Sequence, residues 1–285
     1  MIRYFVFTLI LVFFSSFLLS QTIKGVVINK QTGAPIKYTS VGIVNKPYGT
    51  YCNIDGTFKL ELPEFSETDS IRFSCVGYKP IDFNINNYLK QYETGVTDTI
   101  FLEEEVVKLK EIIVHGGKRK NKIIGNKNAS CFFKIGLFED RETGIIIRND
   151  KNLLLKKVSF KITMAGYAEP DSAIFRFNIY SLKDGLPNKN LLKEPIYFHL
   201  KKGQFDRNKV NFDISDHNIQ VSRDFAASFE QIKQYGGSRI YFCGKINGYK
   251  GIHRKGAQGK WKEQKADSGP LKLKQSLEIL VTYEE

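Results

Sequence analysis

Three groups of residues have types and spacings that can do chemistry. The first is Asn53-Ile54-Asp55-Gly56, whose Asn-x-Asp-Gly order matches the tail of an EF-hand calcium loop. Such a loop also needs a carboxylate four residues before the Asp and a bidentate Glu six residues after the Gly. Those positions hold Tyr51 and Leu62, so the segment reads as a tight hairpin at Ile54–Thr57 with no bound cation. The second group is His115, His199, His217 and His253. None is followed three residues later by the Glu of a His-x-x-Glu zinc pair; the positions hold Lys118, Lys202, Gln220 and Gly256. The third group is the glycine-rich segment Gly244–Pro270, which carries Tyr249, Lys250, His253, Arg254, Lys255, Lys260 and the only tryptophan, Trp261. Aromatic faces stack on sugar rings or cations, and Lys and Arg take carboxylate or phosphate. These seven residues are the expected ligand-binding set.

No other motif raises the prospect of catalysis. There is no Gly-x-Ser-x-Gly elbow, no His-Glu-x-x-His, no Walker loop and no dinucleotide fingerprint. Cys131 and Cys243 have no histidine close in sequence to activate them. No catalytic residue, metal ligand or cofactor site is therefore expected.

The elements that must position these groups are β-strands. The chain has 285 residues, of which 42% are hydrophobic and 13% aromatic, and helical periodicity is hard to find. Arg3 is followed by an uncharged apolar run that ends in small residues at Ser20, the layout of a secretory signal peptide over residues 1–20. A retained membrane anchor is the rival reading, but the run is near the short limit of about 17–25 residues for a spanning helix. The mature chain is expected to begin near Gln21, without a transmembrane span. Export would allow disulfides. Cys52 and Cys75 fall in one domain and could pair, although two small buried thiols is the preferred reading.

Charge divides the chain. Residues 22–103 hold eight Lys/Arg against nine Asp/Glu, whereas residues 104–285 hold 34 against 21 and so carry the whole net charge of +13. In an exported protein, such a basic half suits an anionic envelope polymer or an acidic protein better than nucleic acid.

From Thr22 apolar and polar residues alternate through about seven short strands, with a turn at Gln31–Pro35 where Gly33 suits a positive φ. Ile23, Gly25, Val27, then Thr32, Gly33, Pro35, Ile36, then Gly49, Thr50, Asn53, Asp55, Gly56, Phe58, then Ser74, Gly77 and Tyr78 stand in a recognisable order. That order resembles the carboxypeptidase regulatory-like domain of exported Bacteroidetes-type proteins, a transthyretin-like β-sandwich. Cys52 replaces the usual Ser or Thr, and Cys75 the usual aromatic residue. The resemblance covers residues 22–103 and implies a non-catalytic appendage. The next piece, Leu109–Gly117, resembles the segment that joins such domains to the plug of TonB-dependent receptors. Too little chain follows for a receptor barrel, and residues 104–129 read as a basic linker.

Residues 130–285 read as strand after strand. In Ser172–Tyr180, Ala173, Phe175, Phe177 and Ile179 point one way, while Arg176 and Asn178 point to a wet face. The expectation is all-β: a small transthyretin-like Greek-key sandwich followed by a larger jelly-roll-like antiparallel sandwich. Phe175–Phe198 is also similar to the C-terminal domain often found behind regulatory-like domains. Together these readings predict a non-enzymatic binding or assembly module of the cell envelope, periplasmic, outer-membrane-associated or secreted. Its expected partner is an envelope protein or an anionic polysaccharide. The alternative is a glycan hydrolase whose carboxylates lie hidden in the second sandwich, a class distinguished by two carboxylates clustered in a cleft.

Overall fold

The computed structural model describes residues 21–91, 97–105, 121–136, 138–139, 141–205, 209–264 and 275–284. The expected signal peptide and most of the expected linker lie outside the described residues. Among the described residues, no helix is long and apolar enough to cross a membrane.

Alternation in Gln21–Asn29 buries Ile23, Val27 and Asn29, and this strand is the centre of a three-stranded sheet. It runs antiparallel to Thr57–Leu62 and parallel to Thr97–Leu102. A four-stranded sheet in the order Gly49–Tyr51, Ser40–Ile43, Ser70–Ser74, Ile81–Asn84 faces it. Phe58, Phe73, Ile71, Leu60 and Leu102 fill the space between the two sheets. Gly33 sits at φ 70° in the expected turn, whose corner is held by Asn29 Oδ1 accepting from the amides of Gln31 (2.8 Å) and Thr32 (3.1 Å).

Two local expectations change. The turn around Asp55 is tight, with Gly56 at φ 77°, but its flanking strands do not pair with each other. Gly49–Tyr51 pairs with Ser40–Ile43, and Thr57–Leu62 pairs with Gln21–Asn29, so the turn is a corner between sheets rather than a hairpin. Val27 N donates to Gly56 O at 2.9 Å and ties the corner to the central strand. The second change is a helix at Ile85–Gln91. Asn84 caps it, with Oδ1 accepting from Asn87 N at 3.1 Å, and Ile85 and Tyr88 bury one face. One short turn pair carries too little periodicity to be read from sequence.

The second unit is two antiparallel sheets, of seven and eight strands. The seven-stranded sheet runs Leu186–Asn190, Ser172–Lys183, Phe225–Tyr235, Arg141–Ile147, Lys250–Lys255, Lys262–Glu263, with Ile196–Lys201 also pairing Ser172–Lys183. The eight-stranded sheet is built around Leu153–Met164. Phe160, Phe177, Phe198, Phe212, Phe229 and Phe242 interlock between them, with Phe198 and Phe212 stacked at 3.8 Å. Burial of each such ring contributes roughly 1.5–3 kcal/mol. Part of the expected linker belongs here: Asn121–Gly125 is a strand paired with Ile279–Glu284. Its Ile123 and Ile124 add an edge to a sheet that a basic composition had concealed.

Cys131 and Cys243 form a disulfide that closes a separation of 112 residues. Cys52 and Cys75 are free and buried. They directly follow the two strands that flank Ser40–Ile43, on either side of Thr39, whose carbonyl accepts from Cys52 N at 2.9 Å. Two strand spacings separate them, about 9–10 Å, beyond the roughly 7 Å between Cα atoms that a disulfide can span.

Candidate functional site

The face of the seven-stranded sheet that the sequence presents as wet is covered. Arg176 and Asn178 are 3% and 1% exposed. The first unit's four-stranded sheet packs over one end of this face, where Tyr38, Ile174, Ile232, Tyr51 and Tyr197 form a small apolar cluster. Alternation identifies the face that leaves the sandwich core; it carries no information about a second unit packed on it.

Four neighbouring strands place a row of charge across this face. The registers set Arg176 opposite Glu230, Glu230 opposite Glu142, and Glu142 opposite Arg254. The order across the sheet is plus, minus, minus, plus. Like charges directly opposite each other are unfavourable, and each glutamate here is relieved by an arginine on its outer side. Arg176 Nε donates to Glu230 at 2.6 Å, and Arg254 Nε donates to Glu142 at 2.7 Å. Arg254 Nη2 also reaches Glu230 at 3.1 Å. Glu142 further accepts from Ser228 (2.5 Å), Asn178 (2.9 Å) and Tyr180 (3.0 Å).

The first unit closes the row from above. Arg176 Nη1 donates to the Tyr38 carbonyl at 2.9 Å, and Nη2 donates to Ser40 Oγ at 2.7 Å. The guanidinium lies over the Tyr51 ring at 5.4 Å. One buried arginine thus binds a carboxylate of its own sandwich and the backbone of the other.

The electrostatics separate the two glutamates. Burial raises the Glu142 pKa, Arg254 opposes the rise, and the facing Glu230 adds to it, leaving it well above the usual carboxylate range. Burial also acts against Glu230, but Arg176 and then Arg254 outweigh it and hold that carboxyl below the usual range. One raised and one lowered carboxyl is the pattern of an acid–base pair. The accessibility is not. Glu142 and Glu230 are 1% and 0% exposed, and neither lines the cleft that opens beside them.

That cleft holds ≈ 430 Å³ between the two units. Arg176, Asn178, Tyr180 and Arg254 form its floor, with Ser74 and Asn190 on the walls. The floor residues direct hydrogen-bonding groups at the glutamates beneath, so the cleft presents neutralised arginines rather than free charge.

The structure divides the expected ligand-binding residues. The segment expected to interrupt the β pattern is a strand pair: Lys250–Lys255 joins Arg141–Ile147, and Lys262–Glu263 joins Lys250–Lys255. Tyr249 packs on the sandwich core. His253 lies opposite Thr143 within the sheet. Arg254 belongs to the buried row, and Trp261 lies against it at 5.0 Å and edge-on to Tyr180 at 5.8 Å. Lys250, Lys255 and Lys260 are exposed, with Lys250 3.9 Å from Glu263. The turn between the two strands docks on the first unit: Asn45 N donates to Gln258 O at 2.9 Å, and Gln258 Nε2 donates to Ser74 Oγ at 2.7 Å. Sequence reasoning missed Glu142 and Glu230. Their signal is a charged residue in the middle of a long apolar strand, most visible in Phe225–Tyr235.

At the first corner, Asp55 serves the fold. Its Oδ1 accepts from the Thr57 amide (3.0 Å) and hydroxyl (2.6 Å), which lowers its pKa. Among the described residues, no group of three or more His, Cys, Asp or Glu could hold a metal.

Residues 23–114 match the CarboxypepD_reg-like domain family. The first unit is a carboxypeptidase regulatory-like domain. It supplies Tyr38, Ser40 and Tyr51 to the buried row, and the family is regulatory rather than catalytic. The chain is also similar to Bacillopeptidase F of Bacillus subtilis (strain 168), at 27% identity over 218 residues, 74% of this chain. It spans 14% of that relative's length. Among solved structures, BcpA, the major pilin subunit of Bacillus cereus, is 12% identical, with 92% of this chain and 68% of that chain covered at a TM-score of 0.21. A carbohydrate-binding module of the β-sandwich superfamily is 8% identical, with 79% and 95% covered at a TM-score of 0.17. Neither overlap defines a shared fold.

Proposed function

We propose that this protein is an exported, non-enzymatic binding and assembly module of the cell envelope. In this reading the regulatory-like domain and the second sandwich act as one clamped body that presents a basic surface to an envelope partner. The observation that carries it is the state of the two clustered carboxylates. A glycan hydrolase needs a carboxyl that can reach a glycosidic oxygen and a second that can reach the sugar or its water. Glu142 and Glu230 are sealed beneath the arginines, and Arg176, bound to Glu230, holds the sandwich to the regulatory-like domain instead. The Cys131–Cys243 disulfide supports an oxidising compartment. The finer proposal is an anionic polysaccharide against the exposed Lys250, Lys255 and Lys260 beside Trp261, because the charge of Arg254 is already neutralised inside.

Crosslinking in intact cells, followed by identification of the species bound to the mature chain, tests this reading. The expected product is an envelope protein or an acidic polymer. Sustained release of sugar from envelope glycans that disappears in Glu142→Gln would instead establish the hydrolase.

A further inference from the structure

Tyr167 and Phe132, at 107% and 85% exposed, are the most exposed large apolar side chains among the described residues, and both line one groove. The groove opens on the eight-stranded sheet, not on the sheet that carries the Trp261 hairpin, and encloses ≈ 830 Å³. Lys134, Lys161, Ser130 and Thr163 line it with the two rings, and among the described residues no carboxylate does. Among the described residues, neither lysine has a carboxylate within ion-pairing distance. Lys134 is placed by its own contacts, 5.9 Å over the Tyr241 ring and 3.4 Å from the Met164 carbonyl.

Both rings stand on restrained backbone. Phe132 follows Cys131, whose disulfide ties the edge strand Ser130–Gly136 to Ile240–Ile246, and its ring is edge-on to Phe133 at 5.3 Å. Tyr167 sits on a turn pinned on both flanks: Ala165 N donates to Arg239 O at 3.1 Å, and Ser238 N donates to Ala168 O at 2.7 Å. Gly237 allows that approach, since a Cβ there would lie 2.3 Å from Pro170 N. Rings left this exposed gain little from folding, and a pair of them on one groove is a candidate contact surface. Restrained backbone beneath the rings also lowers the ordering cost of binding.

We infer that Phe132 and Tyr167 form a stacking platform for an acidic oligosaccharide, whose carboxylates pair with Lys134 and Lys161. Flat apolar ring faces suit the C–H faces of pyranose rings. Two lysines without an acidic neighbour favour a carboxylated sugar over a neutral one, and the hydroxyls of Ser130 and Thr163 offer hydrogen bonds to sugar hydroxyls. This site is independent of the hairpin lysines.

The test is calorimetric titration of the mature chain with oligogalacturonate, with neutral dextran oligomers and anionic-lipid vesicles as separate arms. The expected result is saturable binding of oligogalacturonate and not of dextran. Phe132→Ala with Tyr167→Ala should weaken it by about tenfold or more at every salt concentration. Lys134→Gln with Lys161→Gln should remove the part that salt screens. All four side chains are at the surface of the groove, so unchanged thermal melting verifies the fold of each variant. Oligogalacturonate binding that survives the aromatic replacements, or binding only to vesicles, would overturn the platform. Loss of binding in Lys250→Gln, Lys255→Gln, Lys260→Gln alone would overturn it while leaving the proposed function standing. Absence of any oligogalacturonate binding would also overturn it, without touching a protein partner found by crosslinking.

Discussion

Glu142 and Glu230 face each other directly across two antiparallel strands, with Arg254 beyond one and Arg176 beyond the other. Two buried carboxylates side by side cannot both ionise at their ordinary pKa. The arrangement settles the conflict by keeping Glu230 ionised and making Glu142 the proton-holding partner, and it uses the Arg176 side of the row to fasten a second unit.

Stability should therefore have a shallow maximum at mildly acidic pH. The Glu142 pKa is raised in the folded protein to about 7 from 4.5, so its contribution is present below about 4.5 and is lost as pH rises toward 7. Glu230 is shifted the opposite way, so its contribution is present above its ordinary pKa and is lost as pH falls below it. Thermal melts from pH 4 to 8 should show the decline on the alkaline side. Glu142→Gln should flatten that side alone; an unchanged slope would mean that Glu142 does not carry it.

Arg176→Ala should destabilise the chain by roughly 3–5 kcal/mol, because it leaves Glu230 buried without its closest partner. It also removes two bonds to the regulatory-like domain. Denaturant unfolding would measure the loss. Limited proteolysis of the variant should release the two units separately, whereas the parent should resist.

Native protein should give no reaction with a thiol reagent, and unreduced denatured protein should give two equivalents. Burial and the neighbouring Cys75 push the Cys52 thiol up to about 12, and burial likewise raises Cys75. Reduction of Cys131–Cys243 should lower stability by about 4–5 kcal/mol on chain-entropy grounds. Four equivalents after denaturation without reductant would rule out the bond.

Calcium titration should give no stoichiometric heat in the parent or in Asp55→Ala. The variant should melt at a lower temperature, since the Thr57 amide and hydroxyl lose their acceptor. A one-to-one heat in the parent that Asp55→Ala abolishes would make the corner a cation site.

The sequence by itself determined what repeats locally. Period-two alternation fixed the strands and the inward rows, such as Phe175, Phe177 and Ile179. The spacing of Gly33, Asp55, Gly56 and Gly77 marked the first domain, because turns at those positions need residues with special backbone freedom or short polar side chains. Tertiary structure decided everything that depends on which strands become neighbours. Cys131 met Cys243, and Cys52 was kept from Cys75, through sheet order alone. Glu142, Arg176, Glu230 and Arg254 are far apart in the chain and form a row only because three registers align. Arg176 reads as solvated in its own strand, yet it is buried because the regulatory-like domain lies on that face. Side-chain alternation records a residue's direction relative to its own sheet, and burial also depends on what packs on that sheet from outside.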